Sequence, residues 1–323
     1  MGKAVIIDRA GGPKVFRLAD RDPGAPGPGQ IRVRNTAIGL NFIDIYQRKG
    51  LYPVSFPAVL GQEGVGVIDA TGEGVESLKP GDRVAYLSGA AAYATATLCS
   101  AGMAAILPKD VSDEDAAAVF LKGLTAEMLL RQVFPLNADH SCLVYAAAGG
   151  VGTILTQWAA HLGARVIAVV GSEPKAATAK ANGASDVIIR TKTDSITAEV
   201  RKLTDGRGVD VVYDSVGAAT FEASLNALAI RGHLVTYGNA SGPPPAVQPL
   251  DLSRLGSLTL TRPSLFHYAT PDRLPAMAEA LFSAIANGTV RPQIGHRFKL
   301  AEIADAHRLL ESGASAGAIV IAP

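Results

Sequence analysis

Along the first ~110 residues the apolar positions fall in short runs broken by Gly and Pro. "AVIID", "QIRVR", "GVGVIDA" and "DRVAYL" are separated by turn sequences such as "PGAPGPG" and "KPGD", a pattern of strands joined by tight turns. A compact all-β unit is expected there. From about Asp113 the pattern becomes helical, "DEDAAAVFLKGLTAEMLLRQV", and then alternates apolar strands with stretches of helical spacing. The pattern predicts strands at 142–146, 165–170, 186–189, 209–213, 233–237 and 258–261. Ile154, Leu155, Trp158 and Leu162 line one face of the helix after the first of these. Strand, helix, strand, repeated in this way, means a parallel sheet wound on both faces. Beyond Pro263 helices are predicted at 275–286 and 303–310, followed by a last strand, "GAIVIA". This tail would return to the first domain.

Composition narrows the class. A chain of 323 residues, 48% hydrophobic and 18% charged, is long enough for two cores. Thirty basic and 29 acidic residues are scattered without blocks, for a formal net charge of +1, so neither nucleic acid nor an anionic membrane is an expected partner. A small molecule is. Only Cys99 and Cys142 are present, too few for a disulfide framework or a four-thiolate zinc site, which points to a reducing compartment and a cytoplasmic location. "MGKAVIIDRAGG" reaches Asp8 before an apolar run can form, Ile6 stands where myristoylation wants Ser or Thr, and no stretch has the length of a membrane span.

The stretch "CLVYAAAGGVGTILTQWAAHLGA", from Cys142 to Ala164, carries the most chemistry. Ala147, Gly149 and Gly152 occupy the three small positions of a G-x-G-x-x-G turn, with Ala in place of the first Gly. Such a turn is tight, lets backbone approach a pyrophosphate, and aims the N–H groups of the helix beginning near Val151 at the negative charge. Glycines can also serve helix packing alone, but a strand before the turn and an amphipathic helix with a second strand "RVIAVV" after it favour a dinucleotide. That second strand ends "VVGSEPK". Gly171 and Ser172 leave room for an adenosine 2′-phosphate, Ser172 can donate a hydrogen bond, Lys175 adds a point charge, and Arg190 after the third strand a second cation. NADPH is therefore favoured. Glu173 is the contrary residue, since its carboxylate would suit ribose hydroxyls instead.

With "AAAGGVG", "VVYDSVG" at 211–217 and "TYGNASG" at 236–242, the chain resembles the medium-chain dehydrogenase/reductase superfamily. It is most similar to the zinc-independent quinone oxidoreductases, the group that includes ζ-crystallin. "AIGLNFIDIYQRKGLYP" at 37–53, "GDRVAY" at 81–86, "FLKGLTAEMLLR" at 120–131 and "TRPSL" at 261–265 carry the resemblance over essentially the whole chain. It implies an α/β fold in which a Rossmann doubly wound parallel sheet, residues 124–263, is inserted into a GroES-like β-barrel catalytic domain, residues 1–123 plus 264–323. The active site would be the cleft between them. A homodimer or tetramer is implied, paired through the sixth strand across a two-fold axis, which would cover an exposed sheet edge.

The zinc branch of the superfamily has a Cys near the position of Asn41 and a His in a "GHE" motif; here the motif is "GQEG", with Gln62. No metal is expected. The resemblance carries Phe42, Ile43 and Asp44 over as a cofactor wall, and Gly150 and Val151 to the pyrophosphate. Val216, Ala240, Ser241 and Gly242 would surround the nicotinamide half, Leu265, Phe266 and His267 would lie at the cleft, and Thr125 would pack beneath the nicotinamide ring. Arg190 departs from the family pattern, where some relatives have an aromatic residue, and an arginine found in those relatives near Gly313 is missing.

Without a Lewis acid the acceptor must already be electrophilic: a quinone, or an alkene conjugated to a carbonyl. The protein would supply proximity and a polar edge for the developing oxyanion. Asn41 is the candidate donor to the substrate oxygen, with Tyr46 and Tyr52 as aromatic walls and proton sources. Reduction of enones, alkenals or enoyl thioesters is the alternative chemistry, and a nucleotide-binding sensor or structural protein the alternative outside enzymes.

Overall fold

The computed structural model of the protein describes residues 2–323. The chain divides into two compact units. The first runs to Leu124 and adds Ala269–Ala286 and Pro292–Pro323; the second comprises Thr125–Tyr268 and Asn287–Arg291. Residues 264–268, expected with the first domain, cluster instead with the second, since they continue directly from its last strand. The 287–291 segment joins it because the Arg291 N–H donates to Gln157 Oε1 at 2.9 Å and the Arg291 guanidinium to the Ala181 carbonyl at 3.3 Å.

The first unit is built on Gln30–Gly39, whose apolar residues alternate inward at Ile31 and Val33. Glu63–Thr71, Arg83–Leu87 and Ala104–Ile106 follow it in antiparallel order. The C-terminal strand Ala318–Ala322 returns to pair with it, Val320 opposite Gly39 and Ile321 opposite Ile38, and Ile294–Lys299 lies beyond. Asn35 also turns inward on this strand. It is tolerated because its amide donates to the Ala94 carbonyl and to Thr97 Oγ1, and its oxygen accepts from the Tyr86 hydroxyl at 2.7 Å. Helix Phe42–Lys49 starts where the strand ends and stops at Gly50, whose φ of 81° is the left-handed cap that glycine supplies without strain.

The second unit holds six strands, all parallel. In spatial order they are Asp186–Ile189, Arg165–Val170, Ser141–Tyr145, Val209–Asp214, Leu228–Thr236 and Thr259–Thr261. Counted along the chain this is 3-2-1-4-5-6, so the order reverses beside Ser141–Tyr145, where doubly wound sheets bind their ligands. Every residue of that strand is buried, which accounts for its continuous apolar run. The fifth strand begins at Leu228, earlier than the predicted 233. Its first half reads as a turn because it contains Arg231-Gly232; Arg231 takes a φ of 64° within the strand, its N–H donating to the Gly256 carbonyl at 2.7 Å. No described helix is long and apolar enough to cross a membrane.

Candidate nucleotide and catalytic sites

In the second unit the buried strand ends at Tyr145 and helix Gly150–His161 begins five residues later. The left-handed residue of the connecting turn is Ala146, at φ 51°, one place before the small position assigned from the sequence. Its carbonyl accepts the Gly149 N–H at 2.8 Å. A Cβ on Gly152 would stand 2.2 Å from that same carbonyl oxygen, and one on Gly149 3.1 Å from it. Gly152 thus permits helix and strand to touch, while Gly149 caps the helix with no side chain of its own. Gly150 and Val151 are half-buried and open the helix with N–H groups that no cap satisfies, an arrangement suited to a pyrophosphate.

At the end of the second strand, a Cβ on Gly171 would meet nothing within 4 Å. Ser172 precedes helix Glu173–Ala181, and its side chain does not cap it. Lys175 lies on the first turn of that helix, half-buried, with its ammonium held below the usual lysine range by desolvation. Arg190 is exposed at the end of the third strand. Glu173, the contrary residue, is ion-paired with Lys192, so its charge is already opposed. Lys192 was not singled out by the sequence; only folding brings it opposite Glu173. Lys175, Arg190 and Lys192 against Glu173 leave this end of the sheet cationic.

The loops after the fourth and fifth strands are zipped together. Ser241 N–H and Oγ both reach the Val216 carbonyl at 2.8 Å, Ser241 Oγ accepts from Ala219 N–H, and Ala218 N–H donates to the Gly242 carbonyl. Asp214, fully buried, anchors this pair by accepting from the Val216 and Gly217 N–H groups and from the Thr220 and Ser224 hydroxyls. The Ser241 hydroxyl is therefore spent inside the fold, and the Ala240 and Gly242 N–H groups donate to the Ser215 and Asn239 carbonyls within the same loops. Leu265, Phe266 and His267 share one short helix, Leu265–Tyr268, with Leu265 buried and His267 exposed. Thr125 is buried near the end of helix Asp113–Glu127.

In the first unit, Asn41, Phe42, Ile43, Asp44 and Tyr46 are brought together at the start of helix Phe42–Lys49. Tyr52 packs edge-on against Tyr46 with ring centroids 5.4 Å apart, held by its N–H donating to the Tyr46 carbonyl. The Phe42 ring centroid lies 6.1 Å from that of Tyr46, the two rings tilted by 39°. Asn41 is engaged within the fold. Its amide nitrogen donates to Glu63 Oε1 at 2.9 Å and faces the Gly39 carbonyl at 3.4 Å. The stronger of these contacts, to the Glu63 carboxylate, holds the amide inside the fold. Asp44 closes the helix start by accepting the Asn41 N–H at 2.9 Å. It is fully buried, and desolvation pushes its carboxyl up to about 7.

Residues 27–132 match the alcohol dehydrogenase GroES-like domain family and residues 150–284 the zinc-binding dehydrogenase family. A quinone oxidoreductase of Pseudomonas aeruginosa is 46% identical over the whole of both chains. The chain belongs to the quinone oxidoreductase family. Among solved structures, the Escherichia coli quinone oxidoreductase complexed with NADPH is 42% identical, with a TM-score of 0.96 over 99% of this chain and 100% of that one. A mycobacterial protein solved with NADPH is 43% identical, with a TM-score of 0.96 over the same shares of the two chains.

Within this quinone oxidoreductase fold, Gln62 occupies the place where zinc relatives are expected to have His. It donates to Gln47 Oε1 at 2.9 Å and to the Gly89 carbonyl at 2.7 Å. Both thiols are buried and pushed up to about 12 by desolvation. Among the described residues, no group of three or more His, Cys, Asp or Glu side chains is placed to hold a metal ion. Folding also reveals Glu63 and Lys122, 3.0 Å apart and almost fully buried, with Leu121 N–H donating to the same carboxylate. Glu63 sits inside "GQEG", but nothing in the spacing shows that Lys122 reaches it.

Proposed function

We propose that this chain reduces quinones with NADPH by hydride transfer that needs no metal. The observation carrying the reading is the uncapped helix start at Gly149–Val151 beside a sheet end whose cations outnumber its one carboxylate. Gly149, Gly150, Val151 and Gly152 would hold the pyrophosphate. Gly171, Ser172, Lys175 and Arg190 would take the 2′-phosphate, with Lys192 restraining Glu173. Val216, Ala240 and Gly242 would border the nicotinamide half through their backbone. NADPH, when bound, supplies the hydride.

The substrate side belongs to the Phe42–Lys49 helix and Tyr52. Phe42, Tyr46 and Tyr52 form a run of rings suited to a flat acceptor, and the phenols can donate to an oxygen that gains charge. Asn41 serves indirectly, fixing the helix start against Glu63. The reduced product can take its remaining proton from water, so no single acid is indispensable.

The same reading makes the protein a homodimer. Thr259–Thr261 is the last strand of the six-stranded sheet, and Ile230, 80% exposed, and Leu250, 58% exposed, leave apolar surface on that unit. Free buried thiols suit the cytoplasm.

The test follows NADPH absorbance with benzoquinone, phenanthrenequinone, an alkenal and crotonyl-CoA in turn. Turnover with the quinones and little with the others is expected; consumption with none of the four would defeat the reading. Lys175→Ala should weaken NADPH about tenfold, the size of one charge-assisted contact, and leave NADH almost unchanged.

A further inference from the structure

Among the fully buried titratable or charged side chains of the first unit that the chemistry above does not use are Asp44, Arg48, Tyr93 and His307. They form one chain. Arg48 Nη1 lies 3.2 Å from His307 Nδ1, His307 Nε2 lies 3.0 Å from the Tyr93 hydroxyl, and that hydroxyl lies 2.9 Å from Asp44 Oδ2.

The direction of every proton in it follows from one fact: a guanidinium only donates. His307 Nδ1 must therefore accept, which leaves the neutral imidazole's proton on Nε2. Nε2–H then donates to the Tyr93 oxygen, and the Tyr93 O–H is left to donate to Asp44. All the donors point from Arg48 toward Asp44. The ring cannot turn away, because Phe16 packs edge-on against it at 4.7 Å between centroids. Arg48 is itself clamped by Glu311 at 2.7 Å and the Gly11 carbonyl at 3.0 Å, and Glu311 also pairs with Lys49.

Asp44 receives two hydrogen bonds on one oxygen, from Asn41 N–H and Tyr93 O–H, while Oδ1 has no partner. A proton on Oδ1 would find no acceptor, so the chain favours the carboxylate against the cost of its burial. The other charges that face it are Glu63, which opposes ionisation, and Lys122, which favours it. Asp44 Oδ2, by accepting the Asn41 N–H, ties down the first turn of helix Phe42–Lys49, and the carboxylate accepts more strongly than the neutral acid.

We propose that His307 is a positioning residue for the reductase: held as the Nε2–H tautomer by Arg48, it orients the Tyr93 hydroxyl onto Asp44 and so sets the helix start that presents Phe42 and Tyr46. The proposal rests on the reading that these two rings border the substrate. No spacing in the sequence marks His307, which lies on a helix between Ile303 and Leu310.

Glutamine can accept from Arg48 through its oxygen and donate to Tyr93 through its nitrogen; leucine can do neither. His307→Gln should retain at least about half the quinone turnover of the wild type, while His307→Leu and Tyr93→Phe should lose about tenfold at neutral pH. In both of the latter the midpoint of the pH–rate profile should move upward, by about one unit in Tyr93→Phe, where the donor to the carboxylate is gone, and by less in His307→Leu, where the Tyr93 O–H remains but is no longer oriented. Equal behaviour of Gln and Leu, or a profile that falls uniformly without moving, would overturn the proposal. Tyr93→Phe keeps the test usable if the Leu variant does not fold. Nitrogen NMR of the wild-type imidazole checks the chain without any turnover: Nε2 protonated and Nδ1 bare is expected, and the opposite tautomer refutes it. Absence of quinone turnover in the wild type, with the expected tautomer, would locate the failure in the functional reading and remove the positioning role with it.

Discussion

Asn41 and Glu63 are joined by a 2.9 Å hydrogen bond in which the amide donates and the carboxylate, also held by Lys122 and by Leu121 N–H, accepts. Gly39 is part of the same arrangement, since a Cβ there would stand 2.1 Å from Glu63 Oε1. Replacing Glu63 by Gln leaves Lys122 buried without a counter-charge and turns an acceptor into a donor beside other donors. Glu63→Gln should lower stability by about 3–5 kcal/mol. Asn41→Ala, which leaves the ion pair whole, should cost only about 1–2 kcal/mol. Urea unfolding of the two variants checks the order; equal losses would mean that the carboxylate is not the centre of the cluster.

How much of this was legible in the sequence depends on the range of the interaction. The Arg165–Val170 strand and the glycine turn were readable because a buried parallel strand is a continuous apolar run and a tight turn needs small residues, both local requirements. That the left-handed residue of the turn is Ala146 could not be read, since alanine gives no sign of positive φ. The Asn41–Glu63 contact was not legible: Glu63 is distant in sequence, and pairing of Gln30–Gly39 with Glu63–Thr71 brings them together. His307 and Arg48 were invisible for the same reason, each becoming meaningful only beside the other. Family resemblance supplied Phe42, Tyr46 and Tyr52, which composition and spacing alone would not have selected.

Gly152 is the least replaceable residue of the nucleotide turn. Its missing Cβ is what lets helix Gly150–His161 lie against Ala146, and the obstructing atom is backbone, which cannot move aside as a side chain would. Gly152→Ala should displace the helix start, weaken NADPH by at least about tenfold and lower the melting temperature by several degrees. Titration of bound-NADPH fluorescence together with calorimetry reads both effects. Unchanged affinity in a folded variant would remove this turn from the binding site.

Ile230 is the most exposed large apolar side chain among the described residues, and it lies in the strand next to Thr259–Thr261. A charge placed there would have to be desolvated in a subunit contact but costs nothing in a free monomer. Ile230→Asp should therefore convert a dimer to monomers at micromolar concentration with little change in monomer stability, as light scattering after size-exclusion chromatography would show. A wild-type protein that already elutes as a monomer, or a variant that remains dimeric, contradicts the proposed edge pairing.

Asp44 and His307 titrate in opposite senses, and their effects on stability should oppose each other. Burial raises the Asp44 carboxyl from 3.8 to about 7, so between these values the folded chain keeps a proton that the unfolded chain has lost, and stability falls as pH rises. Burial, with help from the Arg48 charge, lowers His307 from 6.5 to about 3, so over that window the unfolded chain holds the extra proton and stability increases with pH. From about pH 4 to about pH 6.5 the two slopes nearly cancel. Asp44→Asn should uncover the histidine, giving a stability that climbs with pH by up to about 1.4 kcal/mol per unit across this range. His307→Leu should uncover the carboxyl and make stability decline with pH instead. Unfolding free energies at about pH 4.5 and about pH 6.5 decide the matter: three parallel curves would show that neither group changes its protonation on folding, whereas divergence in opposite directions requires both to be buried as described.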